Sequence, residues 1–172
     1  FMIVVFTQFL ISCGSDATGP PPQNSDIIIE TFGGAIDLEN TPNYENQNIP
    51  PYITKDNTRG NEITNHTAQL GRVLFYDKTM SANNSVSCAS CHIQGNGFAD
   101  PDRLSIGFEG GLTGRNSMSL SNARYYENGS FFWDERANSL EEQVLMPIQD
   151  NVEMGLTLTE LVSKLQGKDY YG

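Results

Sequence analysis

The chain has 172 residues, of which 21 are acidic and 10 are basic, so its formal net charge is −11. This length accommodates one domain with a hydrophobic core, together with flanking segments. A chain this acidic is poorly suited to nucleic acid, because affinity for nucleic acid comes mainly from Lys and Arg side chains on phosphates.

Residues 1–12 are almost entirely apolar, and Cys13 follows them directly. A run of this length is too short to span a bilayer as a helix, but it suits the apolar part of an export signal. Leu10 to Cys13 resembles the lipobox of bacterial lipoproteins, in which the cysteine is lipidated. We therefore expect residues 1–13 to be a lipoprotein-type signal with a truncated start, and Cys13 to anchor an exported, periplasmic protein to the membrane. The alternative is a cleaved or structural apolar segment with an incidental cysteine.

Residues 14–62 are rich in Gly, Pro, Asn, Asp and Thr, with GPPP at 19–22 and PP at 50–51. This composition is typical of a flexible tether. The one apolar patch is the run of isoleucines at 27–29. We therefore predict a disordered linker over 14–62, followed by a folded domain over 63–172.

Helical spacing begins near residue 63. Leu70, Val73 and Leu74 share one helix face, and Thr64 or Asn65 can cap the start of this helix. No stretch of the chain alternates apolar and polar residues as a strand does. The predicted fold class is therefore all-α, with a long glycine-rich loop over 95–124.

Three further helices are predicted beyond this first one. A short helix begins near Ser87. Capping-box patterns at 139–142 and 157–160 open two more, the first ending near Pro147 and the second followed by Gly167 as a C-terminal cap. A domain with so much loop buries little apolar surface, so a large apolar cofactor would supply the missing core.

Two of the three cysteines and one of the two histidines lie within the five residues Cys88-Ala89-Ser90-Cys91-His92. Cys-x-x-Cys-His is the attachment motif of c-type haem. A helical turn places the two thiols at the separation of the porphyrin vinyl groups, and the imidazole that follows then lies beneath the iron. We therefore predict a covalently bound haem c, with Cys88 and Cys91 as thioether links and His92 as an iron ligand.

Other interpretations of these cysteines are weaker. A disulfide between them would close only a very small loop, although an exported protein does meet an oxidising compartment. A thioredoxin-like redox pair needs a βαβ context, which the sequence lacks. A zinc site needs a fourth ligand, for which His66 is available, but the adjacent ligands Cys91 and His92 crowd one tetrahedron.

The function of a haem depends on what binds its iron on the face opposite the first histidine ligand. A second strong protein ligand makes it an electron carrier, whereas an open position lets it bind and activate oxygen species. Met80, Met118, Met146 and Met154 are candidate ligands, although methionine more often fills a core. A monohaem electron-transfer cytochrome c is therefore the alternative function.

Several motifs besides the haem motif occur in a fixed order: LGRVLFYDKTMS at 70–81, SIG at 105–107, RN at 115–116 and FFWDERANSLEEQVLMPIQDNVEMG at 131–155. With them, residues 63–172 closely resemble the N-terminal half of bacterial di-haem cytochrome c peroxidases. The resemblance implies a cytochrome c-like domain whose haem reduces hydrogen peroxide. It also implies a second, C-terminal haem domain that takes electrons from a donor cytochrome or copper protein.

The resemblance implies roles for four side chains. Glu153 matches the family's acid–base, which takes a proton from one peroxide oxygen and returns it to the other. Gln143 matches an amide of the same pocket that orients the peroxide or a water. Trp133 matches the tryptophan between the two haems, and Asn116 matches a ligand of a calcium ion at the interface with the second domain.

The chain departs from the family pattern at Phe108. Most members have a His directly after Ser-Ile-Gly, and this His closes the resting peroxidatic haem until activation. A phenyl ring has no lone pair for iron, so we expect a five-coordinate or water-ligated haem at the Phe108 side, with no need for reductive activation. This resembles variants that lack the His, including the methylamine-utilisation enzyme that oxidises tryptophans of a partner protein. His66 is the remaining histidine that could supply such a ligand.

A second Cys-x-x-Cys-His is missing from the sequence. We therefore expect the chain to be a fragment of a longer protein, with poor turnover without the second haem domain. Family members commonly dimerise, so a homodimer is a further expectation. A peroxide-dependent oxidase of another substrate is the remaining alternative function.

Overall fold

The computed structural model describes residues 24–33, 36–38 and 40–171. Within these residues lie five α-helices: α1 at Asn24–Phe32, α2 at Asn65–Tyr76, α3 at Cys88–Cys91, α4 at Leu140–Gln149 and α5 at Leu158–Gln166. Short 3₁₀ turns lie at Lys78–Met80, Gln94–Asn96, Ala123–Tyr125 and Asp169–Tyr171. The described part of the chain contains isolated β-bridges but no β-strand. The predicted all-α class with long loops is thus confirmed.

Side-chain caps begin α2 and α5 where the sequence predicts them. Thr64 Oγ1 accepts a hydrogen bond from the Thr67 N–H at 3.1 Å. Thr157 Oγ1 accepts from the Glu160 N–H at 3.3 Å, and the Glu160 carboxylate accepts from the Thr157 N–H at 2.8 Å. Gly167 ends α5 with a φ of −81°, outside the left-handed region in which glycine is required.

Helix α4 differs slightly from its prediction. Ser139 Oγ accepts a hydrogen bond from the Glu142 N–H at 3.1 Å. A capping box also needs the Glu142 carboxylate to accept from the Ser139 N–H, but this carboxylate accepts from the Asn138 N–H at 2.9 Å instead. The helix continues past Pro147 to Gln149. Since Pro lacks an N–H, α4 loses one hydrogen bond in its last turn. None of the described helices is long and apolar enough to cross a membrane.

Two clusters of buried side chains form the core. One cluster joins α4 and α5 to the segment between them and to the 3₁₀ turn at Lys78–Met80. Its buried members are Met80, Ile148, Met154, Leu156 and Leu161. The other joins α1 to α2, and its buried members are Ile28, Ile36 and Val73. Phe32, Tyr170 and Tyr171 pack against this second cluster.

Helix α1 lies inside the segment that the sequence predicts to be a linker. Ile28 is only 4% exposed, and the ring of Phe32 packs edge-on against Tyr170 with centroids 5.7 Å apart. Burying a side chain such as Ile28 contributes roughly 1.5–3 kcal/mol, which is why the isoleucine patch orders this part of the linker. The predicted signal at 1–13, with Cys13, lies outside the described residues.

Asp77 ties the end of α2 to the C-terminal turn. Its buried carboxylate accepts hydrogen bonds from the Thr79 N–H and hydroxyl, from the Tyr170 hydroxyl at 2.8 Å and from the Tyr171 hydroxyl at 2.9 Å. Burial alone would raise the pKa of Asp77, but these hydrogen bonds outweigh it and hold the pKa below its usual value.

Candidate active site

Cys88, Cys91 and His92 lie on and directly after α3. The His92 N–H donates to the Cys88 carbonyl at 2.9 Å, which closes one helical turn across the motif. Both cysteines are free thiols and half-buried. Burial raises the pKa of Cys88 to about 11, so this thiol is protonated at neutral pH.

A backbone carbonyl orients His92. His92 Nδ1 lies 3.0 Å from the Phe98 carbonyl oxygen, and since a carbonyl only accepts, Nδ1 carries the hydrogen. Nε2 therefore keeps its lone pair, in the arrangement typical of metal-ligating histidines. Phe98 adopts a left-handed φ of 60° in the turn after α3. No side-chain pattern marks this carbonyl, so sequence reasoning missed it.

His92 lines a cavity of about 850 Å³. The cavity is built from the 114–136 loop, from α4 and from the turn after α4. Its larger apolar and aromatic members are Met118, Leu120, Tyr125, Tyr126, Phe131, Phe132, Trp133, Leu140 and Pro147. Small-molecule cavities span roughly 300–1,000 Å³, so this one is large enough for a bulky cofactor.

Four more of the predicted site residues line the same cavity, namely Asn116, Trp133, Gln143 and Glu153. Gln143 lies on α4. Trp133 is 59% exposed, and its Nε1–H donates to the Asn116 carbonyl at 2.9 Å. The fold therefore brings together residues that the sequence separates widely.

Glu153 is half-buried in the turn between α4 and α5. Asp150 Oδ1 accepts from the Val152 N–H at 2.8 Å and from the Glu153 N–H at 3.1 Å, which fixes the turn. Burial, and then the charge of Asp150, raise the pKa of Glu153, while Arg136 opposes them. A carboxyl group with a raised pKa is a better proton acceptor than an ordinary carboxylate, which suits an acid–base role.

Phe108 is not among the residues that line the cavity. Its ring packs against Gly155, where an added Cβ would lie 2.4 Å from the ring. The Phe108 N–H donates to the Glu153 carbonyl at 3.1 Å, and its carbonyl accepts from the side chains of Asn83 at 2.7 Å and Ser85 at 3.0 Å. The sequence predicts Phe108 beside the haem, and this stays a prediction. In the structure Phe108 also supports the Glu153 turn, because glycine at 155 leaves room for the ring.

Two charged residues near Glu153 were not singled out from the sequence. Arg136 Cζ lies 3.6 Å from the Phe132 ring centroid, and Arg136 Nη1 lies 2.8 Å from Asp134 Oδ1. Asp150 follows α4, and its Asp-x-x-Glu pattern is typical of an Asx turn, which is the signal that marks it. Nothing in the local sequence distinguishes Arg136 from an ordinary surface arginine.

The remaining candidate ligands are scattered. Met80 and Met154 are buried in the core, Met118 lines the main cavity, and Met146 lines only a smaller one beside it. His66 is exposed in the first turn of α2. In the described part of the chain, no group of three or more His, Cys, Asp or Glu side chains could hold a metal ion.

The residues present fit a haem c. Two free thiols lie on a single helical turn, an imidazole beside them keeps the lone pair of Nε2, and the cavity is bulky and lined in part by aromatic and aliphatic side chains. These are the features that covalent attachment and axial ligation require.

Comparison with known proteins identifies the family of this chain. A family model described as di-haem cytochrome c peroxidase matches residues 65–172. Cytochrome c551 peroxidase of Pseudomonas aeruginosa is 39% identical over 119 residues, which cover 69% of this chain and 33% of that protein. The methylamine utilization protein MauG of Methylophilus methylotrophus is 33% identical over 111 residues, or 64% of this chain and 32% of that protein.

Solved structures agree with these sequence matches. The crystal structure of a MauG-like protein associated with microbial copper homeostasis matches with a TM-score of 0.65 and 34% identity, over 73% of this chain and 37% of that chain. The present chain spans about a third of the length of these relatives.

Proposed function

This chain belongs to the di-haem cytochrome c peroxidase family, and we propose that its domain is the one in which hydrogen peroxide is reduced to water. The observation that carries the proposal is the placement of His92 and Glu153 on one cavity. Cys88 and Cys91 would hold the haem through thioether bonds, and His92 Nε2 would bind the iron. When bound, the haem supplies the redox chemistry that breaks the peroxide bond.

Glu153 is the acid–base of the proposed reaction. Its carboxylate accepts a proton from one oxygen of hydrogen peroxide and returns it to the other oxygen, which leaves as water. Its half-burial and raised pKa support this role. Reduction of one peroxide to two waters also consumes two electrons and two protons, and we propose that the electrons arrive from a donor cytochrome or copper protein through a second haem domain.

Three other side chains complete the proposed site. Gln143 orients the peroxide or a water from α4. Trp133, which is exposed and hydrogen-bonded to Asn116, passes electrons from the second haem domain. Asn116 Nδ2 donates to the carbonyls of Asp100 at 3.1 Å and Asp102 at 2.7 Å, which leaves Oδ1 as a ligand for a calcium ion at the domain interface.

In this proposal the residues around Glu153 would supply no second protein ligand to the iron of the resting haem. The ring of Phe108 packs on Gly155 and offers no lone pair. No reductive activation step is then needed to free the iron.

We also propose where the protein works. Residues 1–13 direct export, and lipid on Cys13 holds the protein at the periplasmic face of a membrane. The haem domain over 63–172 follows a linker that α1 shortens by packing on the domain, and two copies form a homodimer.

The replacement Glu153→Gln tests the assignment of the acid–base. In haem-loaded protein, peroxide-dependent oxidation of a reduced donor should fall by about 10²–10⁴-fold, the usual contribution of general acid–base catalysis. Glu127→Gln is the matched control, because Glu127 lines the same cavity but is exposed. Unchanged activity of the Glu153 variant would remove Glu153 from the mechanism.

A further inference from the structure

A second cavity of about 170 Å³ lies beside the main one, and we call it the side chamber. It is lined by Phe132, Arg136, Met146, Pro147, Asp150 and Glu153. All of these except Met146 also line the main cavity. The two cavities therefore share a wall that includes Glu153, and Met146 belongs to the side chamber alone.

The side chamber reaches the surface of the protein. Arg136 and Asp150 are exposed, whereas Glu153 and Met146 are half-buried. Arg136 is held by its contacts with the Phe132 ring and Asp134, and Asp150 is held by the N–H groups of the turn that it caps. The chamber thus carries two fixed, opposite charges on its exposed side.

The charges and the volume of the side chamber determine which molecules it can admit. The opposite charges of Arg136 and Asp150 compensate each other at the exposed side, so the entrance of the chamber does not concentrate ions of one sign. A water molecule occupies about 30 Å³ of liquid, so the chamber holds a few molecules of that size. A small, neutral, polar molecule such as hydrogen peroxide fits, and a peroxide with a bulky aromatic group, such as cumene hydroperoxide, does not.

We propose that the side chamber is the route by which hydrogen peroxide reaches Glu153, and that Met146 sets the size of the oxidant that passes. The proposal rests on the proposed function, in which a haem fills the main cavity and leaves the side chamber as the approach to Glu153. Met146 lies on α4, three residues after Gln143 and one before Pro147. It is a specificity-determining residue and takes no part in the chemistry.

The test changes the width of the chamber in haem-loaded protein. Met146→Ala widens it and Met146→Phe narrows it, and the same two substitutions at Leu145 are matched controls, because Leu145 is exposed on α4 and lines neither cavity. The first measurement is the rate constant for cyanide binding to the ferric haem, which reports entry without chemistry. The second is kcat/KM for hydrogen peroxide and for cumene hydroperoxide.

Met146→Phe should slow cyanide binding about tenfold with an unchanged absorption spectrum. Met146→Ala should raise the preference for cumene hydroperoxide about tenfold, the effect of a methylene-scale change in a pocket. The Leu145 variants should show neither change. Rates that are equal in wild-type and both Met146 variants would overturn the proposal, and so would equal shifts at Leu145 and Met146.

Failure of the proposed function gives a different result. A wild-type protein that binds cyanide but consumes no peroxide would refute the peroxidase assignment. The cyanide rates of the Met146 variants would still decide whether the side chamber is the entry route.

Discussion

Replacing Gly107 with alanine tests how the Glu153 turn is held. A Cβ at Gly107 would lie 1.7 Å from the Val152 carbonyl oxygen, 2.7 Å from its carbon and 3.3 Å from Glu153 Cα. Carbon–oxygen contacts are normally no closer than about 3.3 Å, so the two segments would have to separate by about 1.6 Å. The clashing atoms are backbone, so no side-chain rotation can relieve the contact.

The expected loss in the free energy of unfolding follows from the contacts that this separation breaks. The hydrogen bond from the Phe108 N–H to the Glu153 carbonyl would be lost, which costs about 1 kcal/mol. Overpacking adds about 1–3 kcal/mol. We therefore expect Gly107→Ala to lower the free energy of unfolding by about 2–4 kcal/mol. Because Glu153 moves with its turn, peroxide turnover should fall about 10²-fold.

Urea unfolding and steady-state peroxide turnover of haem-loaded protein measure these two effects. Gly95→Ala is the matched control, because an added Cβ at Gly95 meets nothing within 4 Å and Gly95 does not line the main cavity. If Gly107→Ala were as stable and as active as Gly95→Ala, the proposed support of Glu153 by the neighbouring loop would be refuted.

Three further predictions concern other parts of the molecule. The pKa of Asp77 is lowered in the folded protein, so the ionised carboxylate stabilises the fold. This stabilisation is fully present above the pKa of about 3.9 that Asp has in the unfolded chain. It is lost as the pH falls through the lower pKa of the folded state. Asp77→Asn should therefore destabilise the protein at pH 7 but little in acid, and urea unfolding that shows equal losses at both pH values would contradict this. Trp133→Phe should lower the free energy of unfolding by only about 1 kcal/mol, since it removes one hydrogen bond. It should nevertheless slow reduction of the haem by the donor in stopped-flow measurements. An unchanged rate of reduction would exclude Trp133 from the electron path. Replacing both Cys88 and Cys91 with serine should leave haem that acidified solvent extracts, and haem that still resists extraction would disprove thioether attachment.

Much of the fold was predictable because its signals are local. Thr64 and Thr157 cap their helices through neighbours three residues away, so the pattern is visible in the sequence itself. The turn that carries Cys88 and His92 is equally local. Helix α1 was not predicted, because its burial depends on Tyr170, which lies far along the chain.

The site was predictable only in part. The family resemblance named Gln143 and Glu153, and the structure places both on the cavity of His92. The family resemblance could not give the direction of the Phe108 ring. That direction depends on the space beside Gly155, which lies in a separate segment of the chain. The Phe98 carbonyl that orients His92 is a backbone atom, and no residue type reveals it.

The central claim is that the haem is bound on one face by His92 and left open on the other face toward Glu153. The electron paramagnetic resonance spectrum of the ferric, haem-loaded protein tests this claim most directly. The open site predicts a high-spin signal from a five-coordinate or water-ligated iron. A clean low-spin signal from iron with two strong protein ligands would contradict it.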